Sequence, residues 1–390
     1  MSPTRLLTTT LVFVLLVSLS PVRAEDDDPV FRDKKLSEWV NQLQNGKNVN
    51  ERRAGLLALR LIGPRKSRKV TSALIAAVRE NSEETIRAGA ALALGGFAAK
   101  ARADDDIPIE KIRDALAAGL RSDKADSVRE ACARALGEMK EKAHGAADAL
   151  ALALKDKHAR TRTEAASALH KLGKDAHEAV NDLQTALKNA KLEALTRVYC
   201  ANALGRIGSP DALSAVPALQ ETLGDAKNDT DLRKACAQAL GEMGKDAADA
   251  VPALAAVLTA KDSDVVLRRS AIEALDAMGG EARSALPALR SALKDDDQFV
   301  RSFALHTLGH MGGELGDDRK ATVVGIMARM DDNVLEVRIA AIEALANLGT
   351  DGLGDQYKNA VNRLTEASRD PQKAVAEAAK AALKKVQGMP

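Results

Sequence analysis

The stretch VREACARALGEMK, residues 128–140, decides the fold because it recurs along the chain. Related segments begin at Thr196 (TRVYCANALGRIG) and at Leu232 (LRKACAQALGEMG). When the copies are aligned on the leucine of the Ala-Leu-Gly element, nine leucines fall into register at spacings of 33 to 42 residues. These leucines are Leu59, Leu94, Leu136, Leu169, Leu204, Leu240, Leu275, Leu308 and Leu345. A repeat of this period predicts stacked copies of one small structural unit.

Each copy is predicted to be a pair of helices. Cys132, Leu136 and Met139 lie three or four residues apart and form one apolar face, which indicates that this segment is the second helix of its pair. The first helix precedes it and is clearest in AVPALAAVL, residues 250–258. Three glycines stand four positions after their leucines and are predicted to end the second helix at positive φ: Gly279, Gly312 and Gly349.

An arginine stands seven residues before each of the nine leucines. The set is Arg52, Arg87, Arg129, Arg162, Arg197, Arg233, Arg268, Arg301 and Arg338. Seven residues make two helical turns, so each arginine lies on the side of a buried leucine and its guanidinium needs an acceptor. We predict a structural ladder that joins neighbouring copies, rather than a basic track for a ligand. Acids three or four residues earlier are expected to accept from these arginines and to cap the second helix: Asp126, Asp229, Asp264 and Asp297.

The second-helix pattern DxxVRxxAxxALGxxG resembles HEAT repeats of the type also found in phycobilin lyase subunits. The resemblance covers roughly residues 36–386 and includes a degenerate last copy around Leu383, in which Ala376 replaces the arginine. It implies an all-α fold, an α-solenoid of about ten two-helix repeats. It also implies that the second helices line a concave surface that binds other proteins. The pattern is specific for the fold but not for a function, because such arrays serve many functions.

The first 24 residues have the features of a secretory signal peptide. An apolar run from Leu11 to Leu19 is followed by Val22 and Ala24, small residues at the positions that precede a cleavage point. We therefore expect an exported protein, periplasmic or extracellular. After cleavage, residues 25–35 would form an N-terminal segment that caps the array, and residues 387–390 a short tail.

The charge balance limits the partners to be expected. Removal of the signal peptide takes away two arginines and leaves 55 basic and 55 acidic residues, while aromatic residues make up 2% of the chain. A protein without excess positive charge or aromatic platforms is not expected to bind nucleic acid. No later segment is apolar and long enough to predict a transmembrane helix. The expected partner is another protein or a peptide.

No catalytic, metal-binding or cofactor-binding constellation is predicted. The three cysteines all stand four residues before an aligned leucine and are predicted to be small core residues: Cys132, Cys200 and Cys236. His306 and His310 are one turn apart, but no suitably placed carboxylate or cysteine accompanies them in their helix, so we do not predict a metal site. A lyase-like subunit that handles a chromophore is the alternative function, although no residue marks a pocket for it.

The partner-binding surface is predicted from the positions six before, two before and two after each leucine, which point away from the packed face. The candidates are Leu57, Leu61, Leu92, Arg134, Asn202, Arg206, Lys234, Gln238, Arg269, Glu273 and His306. In the first two copies these positions are apolar, and the segment from Val30 to Leu36 is predicted to fold over them. The alternative is that a partner docks there and that Arg134, Arg206 and Arg269 face its acids.

Overall fold

The computed structural model describes residues 28–64 and 68–388. The predicted signal peptide, residues 1–24, lies outside the described residues, as do residues 25–27 and 389–390. The described chain is almost entirely helical. Its one sheet is an antiparallel pair of two-residue strands, β1 (Val30–Phe31) and β2 (Lys34–Lys35). The all-α prediction is therefore confirmed.

Twenty α-helices follow the strands in the described part of the chain. They are α1 (Leu36–Asn45), α2 (Val49–Ile62), α3 (Arg68–Glu80), α4 (Glu84–Lys100), α5 (Ile109–Ser122), α6 (Asp126–Met139), α7 (Ala147–Ala153), α8 (Ala159–Leu172), α9 (Val180–Lys188), α10 (Ala194–Ile207), α11 (Val216–Gly224), α12 (Thr230–Met243), α13 (Val251–Thr259), α14 (Val265–Met278), α15 (Leu286–Ala292), α16 (Gln298–His310), α17 (Arg319–Ala328), α18 (Leu335–Leu353), α19 (Tyr357–Ala367) and α20 (Lys373–Val386). None of them is both long and apolar enough to span a membrane.

The helices pair as the repeat predicts. Odd-numbered helices are the first of each pair and even-numbered helices the second, and every aligned leucine, including Leu383, lies in an even-numbered helix. Gly279, Gly312 and Gly349 have φ of 57°, 54° and 62°, the positive values that were predicted. Gly279 and Gly312 follow the last turns of α14 and α16, whereas Gly349 breaks the helical backbone within α18. Ten helix pairs in series form the predicted α-solenoid.

Second helices form the inner layer of the array. Buried side chains of both layers join into one continuous core. From α4 onward, successive second helices pack against each other more extensively than the corresponding first helices do. An array curves toward the layer whose members lie closer together, so the second helices line the concave side.

The Ala-Leu-Gly element explains this close approach. The leucine packs in the core of its own copy. The glycine that follows this leucine contacts an alanine of the next copy, the one that directly precedes the next aligned leucine. A Cβ added at Gly95 would lie 2.7 Å from Cα of Ala135, and one added at Gly205 would lie 2.7 Å from Cα of Ala239. Gly309 meets Ala344 in the same way, at 2.8 Å. These glycines have no room for a side chain because the neighbouring backbone occupies the space.

Most arginines of the predicted ladder bind residues of two neighbouring copies. Arg129 donates from Nη1 to the carbonyl of Asp123 in its own preceding turn, at 2.9 Å. Its Nε and Nη2 bind both carboxylate oxygens of Asp156, in the corresponding turn of the next copy, at 2.6 and 2.9 Å. Each such guanidinium therefore links two successive turns. The same bidentate arrangement is found in the pairs Arg87–Asp123, Arg268–Asp295 and Arg301–Asp332.

The other ladder arginines use different acceptors. Arg52 binds Glu83, Arg162 binds Glu193, Arg197 binds the amide oxygen of Asn228, and Arg233 and Arg338 donate to the carbonyls of Leu223 and Asp332. Seven of the nine arginines thus bind a side chain of the next copy, and that side chain varies. Among the described contacts, Arg233 and Arg338 donate only to carbonyls of their own copy.

The prediction that Asp229, Asp264 and Asp297 accept from the arginine of their own helix is wrong. Their carboxylates accept from amides of the first helical turn, as N-caps do, and not from the arginine of their own helix. Asp126 does bind Arg129, at 2.7 Å, but as a partner additional to Asp156. An N-cap carboxylate is turned toward the amides that it caps, whereas the guanidinium reaches toward the next copy.

The three cysteines are core residues, as predicted. Cys132, Cys200 and Cys236 are fully buried and unpaired. Burial raises the pKa of each thiol to about 12, which keeps the thiols protonated at neutral pH. Since the thiolate is the reactive form, these side chains are chemically protected by the fold.

The N-terminal hairpin packs on α1. The indole of Trp39, 9% exposed, donates from Nε1 to the carbonyl of Phe31 at 2.9 Å, and Phe31 packs against the core. The hairpin leaves Leu57 48% exposed and Leu61 63% exposed. The prediction that the segment from Val30 to Leu36 covers this surface is therefore wrong: β1 and β2 lie along the end of the array and not along its concave side.

Candidate partner-binding surface

The residues predicted to line the concave surface all reach solvent. Leu57, Leu61, Arg206, Gln238, Glu273 and His306 are exposed, whereas Leu92, Arg134, Asn202, Lys234 and Arg269 are partly buried. They lie on second helices from α2 to α16. Positions four apart in a helix share one face, and this face is the one opposite the buried leucines. That these residues bind a partner stays a prediction.

An apolar groove lies at the N-terminal end of this surface. Leu57 and Leu61 are exposed on α2. Arg60 and Ile62, which flank Leu61 in the sequence, line a cavity of about 730 Å³ between the end of α2, helix α4 and the loop 101–108. Leu92, Phe97 and Ile107 are among its apolar lining residues. We call this surface, from Leu57 to the cavity, the N-terminal groove.

The rim of the groove is basic. Among the described lining residues, Arg60, Lys100 and Arg102 are basic and Asp105 is the one acid; its carboxylate accepts from the Arg102 amide at 2.8 Å. Three cations against one acid give this cavity a positive potential, in contrast to the balanced charge of the whole chain. Sequence reasoning missed the cavity. Its only signal was the 42-residue spacing between Leu94 and Leu136, which marks the loop that forms one wall.

In the middle of the concave surface, Arg134 and Arg269 already form ion pairs with acids of this chain. Arg134 binds Glu130 and Glu164 through Nη2, at 2.9 and 2.8 Å. The expectation that Arg134 is available for the acids of a partner is therefore wrong, because acids of its own and the next copy already occupy its guanidinium.

Arg269 is occupied in a similar way. Its guanidinium binds both carboxylate oxygens of Asp297 and lies 4.5 Å from the ring centroid of Phe299. Arg206 differs, since its side chain is exposed. Burial raises the pKa of the nearby Glu242, and the charges of Arg206 and His170 partly counteract this effect. Of the three arginines proposed to face acids, Arg206 is the one that the fold leaves accessible.

One group of side chains on this surface has the composition of a metal site. His306 and His310 of α16 meet Asp276 of α14, and one ligand atom from each lies within 4.8 Å of the others. His310 Nδ1 is 3.1 Å from Asp276 Oδ1, and the two imidazole centroids are 3.9 Å apart. The sequence-based reason for predicting no metal site was incomplete, because the carboxylate comes from the preceding copy.

The sequence matches the family described as HEAT repeats over residues 113–196, 190–276 and 251–346. The chain belongs to the HEAT-repeat family. Residues 337–370 also match the family described as PBS lyase HEAT-like repeat, which is a likeness of one repeat. Both matches agree with the resemblance seen in the Ala-Leu-Gly helices.

Solved structures support the HEAT-repeat fold. The crystal structure of an engineered protein from a structural genomics consortium is 22% identical, with a TM-score of 0.56 over 91% of this chain and 99% of that chain. Importin beta is 14% identical, with a TM-score of 0.60 over 90% of this chain. The match spans 50% of the importin beta chain. At these identities the likeness shows the fold alone. No curated protein matches the sequence significantly.

Proposed function

We propose that this HEAT-repeat protein is a non-catalytic scaffold outside the cytoplasm, and that a partner protein docks in the N-terminal groove. The observation that carries the proposal is the exposure of Leu57 and Leu61 beside the apolar cavity. Exposed apolar surface next to a concave site is typical of protein interaction surfaces. HEAT-repeat arrays commonly act as protein-interaction scaffolds, which supports the same conclusion.

The groove also indicates the chemistry of the partner. Apolar side chains of a helix or an extended segment would fill the space beside Leu61, Leu92 and Phe97. The cations Arg60, Lys100 and Arg102 favour a partner segment with net negative charge. Arg206, farther along the concave surface, would contact acids at the other end of the same segment.

Replacing Leu61 and Leu92 together by serine should weaken capture of the partner by about 2 kcal/mol or more, the loss typical of central apolar contacts. This corresponds to roughly a 30-fold change in affinity. The measurement is binding of the partner that is recovered from its native compartment by cross-linking to the wild-type protein. Arg206→Glu should have a smaller effect, mainly on the association rate and its salt dependence.

A control is available in two leucines whose exposure is similar to that of Leu61. Leu152 in α7 and Leu195 at the start of α10 are 57% and 54% exposed, and both lie outside the groove. The double variant L152S/L195S should bind the partner like the wild type. An equal loss of partner affinity in L61S/L92S and L152S/L195S, or unchanged capture by folded L61S/L92S, would show that the partner docks elsewhere.

We also propose that the protein is exported and that residues 1–24 are removed. The predicted result is that the mature protein, isolated from its native compartment, begins at Glu25. The three buried thiols suit an oxidising compartment, since none is accessible for disulfide formation. A mature protein that still begins at Met1 and fractionates with the cytoplasm would contradict the proposal.

The alternative function is a lyase-like subunit that handles a chromophore. It rests on the match of residues 337–370 to PBS lyase HEAT-like repeats, a match that fits a scaffold equally well. A visible absorption band in the protein purified from its native source would favour the lyase.

A further inference from the structure

The group Asp276, His306 and His310 combines three side chains, one carboxylate and two imidazoles, that can bind transition metals. Asp276 belongs to α14 and the two histidines to α16, so the group spans two successive copies. Both histidines are exposed and Asp276 is partly buried. One carboxylate and two imidazoles on a surface open to solvent match the ligand set of sites that keep further coordination positions free.

The group occurs where the repeat pattern changes. Asp276 follows its aligned leucine, at the position where five other copies have a glycine that touches the next second helix. Thr307 replaces the alanine that such a glycine would receive. Helices α14 and α16 pack less extensively than α12 and α14 or α16 and α18 do. At this boundary Asp276 and Thr307 thus stand where a glycine–alanine contact joins other second helices.

The geometry of the cleft suits an ion. The ligand atoms lie within 4.8 Å of one another, with His310 Nδ1 already 3.1 Å from Asp276 Oδ1. In a tetrahedral site with metal–nitrogen bonds of about 2.0 Å, ligand atoms are roughly 3.3 Å apart. A small rotation of the His306 ring closes this difference, and the exposed ring is free to make it.

We propose that Asp276, His306 and His310 form a binding site for a divalent transition metal of the zinc class. Two imidazole nitrogens exclude magnesium and calcium as the preferred ions, since these ions take oxygen ligands. The bound ion joins α14 to α16 on the concave surface, and its remaining coordination positions face solvent. The site therefore adds a metal-dependent link between two copies in place of the missing glycine–alanine contact.

The test is a zinc titration of the metal-free full chain, purified without a polyhistidine tag and followed by calorimetry. We expect one zinc ion to bind per chain. His306→Ala and Asp276→Ala should each lower the affinity more than tenfold, because even residues that only support a ligand contribute 10- to 100-fold. Zinc should also raise the unfolding temperature of the wild type but not of His306→Ala, since the ion binds the folded state.

His177→Ala is the matched control, because His177 is an exposed histidine beside Glu178 in a different copy. This variant should bind zinc like the wild type. None of the three ligands belongs to the buried core, and circular dichroism verifies folding of each variant. Substoichiometric binding to the wild type, or equal affinity of the wild type and the double variant D276A/H306A, would overturn the proposal.

Discussion

Replacing Arg301 by alanine should lower the free energy of unfolding by about 3–5 kcal/mol, the usual cost of removing one partner of a buried ion pair. Arg301 and Asp332 are each 7% exposed. Nε and Nη2 of Arg301 bind the two carboxylate oxygens of Asp332 at 3.0 and 2.8 Å, and Nη1 binds the carbonyl of Asp295 at 2.8 Å. The variant leaves the Asp332 carboxylate buried without this partner. Chemical denaturation at neutral pH measures the effect.

Arg233→Ala is the matched control for this prediction. In the described residues Arg233 is partly buried and donates only to the carbonyl of Leu223, at 2.8 Å. Loss of one such hydrogen bond should cost about 1 kcal/mol. If Arg301→Ala costs no more than Arg233→Ala, the acid of the next copy contributes nothing and the ladder is not a stabilising link.

The pH dependence provides a second check on the same pair. Burial alone would raise the pKa of Asp332, but hydrogen bonds from Arg301 and from the Val334 amide outweigh it, and the pKa lies below its ordinary value. A carboxyl with a lowered pKa in the folded state stabilises the fold above its unfolded pKa and loses this contribution as the pH falls. The stability difference between wild type and Arg301→Ala should therefore shrink below about pH 4.

Replacing Gly95 by alanine should destabilise the array by about 1–3 kcal/mol, the usual cost of inserting atoms into a packed interface. The new Cβ would lie 2.6 Å from Cβ and 2.7 Å from Cα of Ala135 on the next second helix. Backbone cannot move aside as a flexible side chain does, so α4 and α6 would have to separate. Thermal or chemical unfolding measures the change.

The neighbouring glycine is a control in the same helix. A Cβ added at Gly96 would meet nothing within 4 Å. Gly96→Ala should therefore stabilise the protein by up to about 1 kcal/mol, since alanine is the better helix former. Equal effects of the two substitutions would mean that the Gly95–Ala135 contact does not set the spacing between copies.

The sequence was sufficient to predict the features that belong to a single copy. The positions of Leu136, Cys132 and Arg129 within one helix follow from helical periodicity, which is local. The arginine ladder was predicted for the same reason, because a guanidinium that starts beside a buried leucine needs acceptors.

Features that arise between copies were not predictable from spacing. Asp156 follows Arg129 by 27 residues and Asp332 follows Arg301 by 31, because the first helices and turns differ in length. Asp276 joins the histidines of α16 across the same kind of boundary. Reasoning about acids within one helix therefore found the N-caps and missed the partners that bridge the repeats.

The most direct test of the proposed scaffold function is site-specific photo-cross-linking in the native compartment. A photoreactive amino acid would replace Leu61 in the N-terminal groove or, in a parallel variant, the equally accessible Leu152 on α7. The account predicts one discrete cross-linked partner from position 61 and none from position 152. The same cross-link from both positions, or a discrete partner from position 152 alone, would contradict docking in the N-terminal groove.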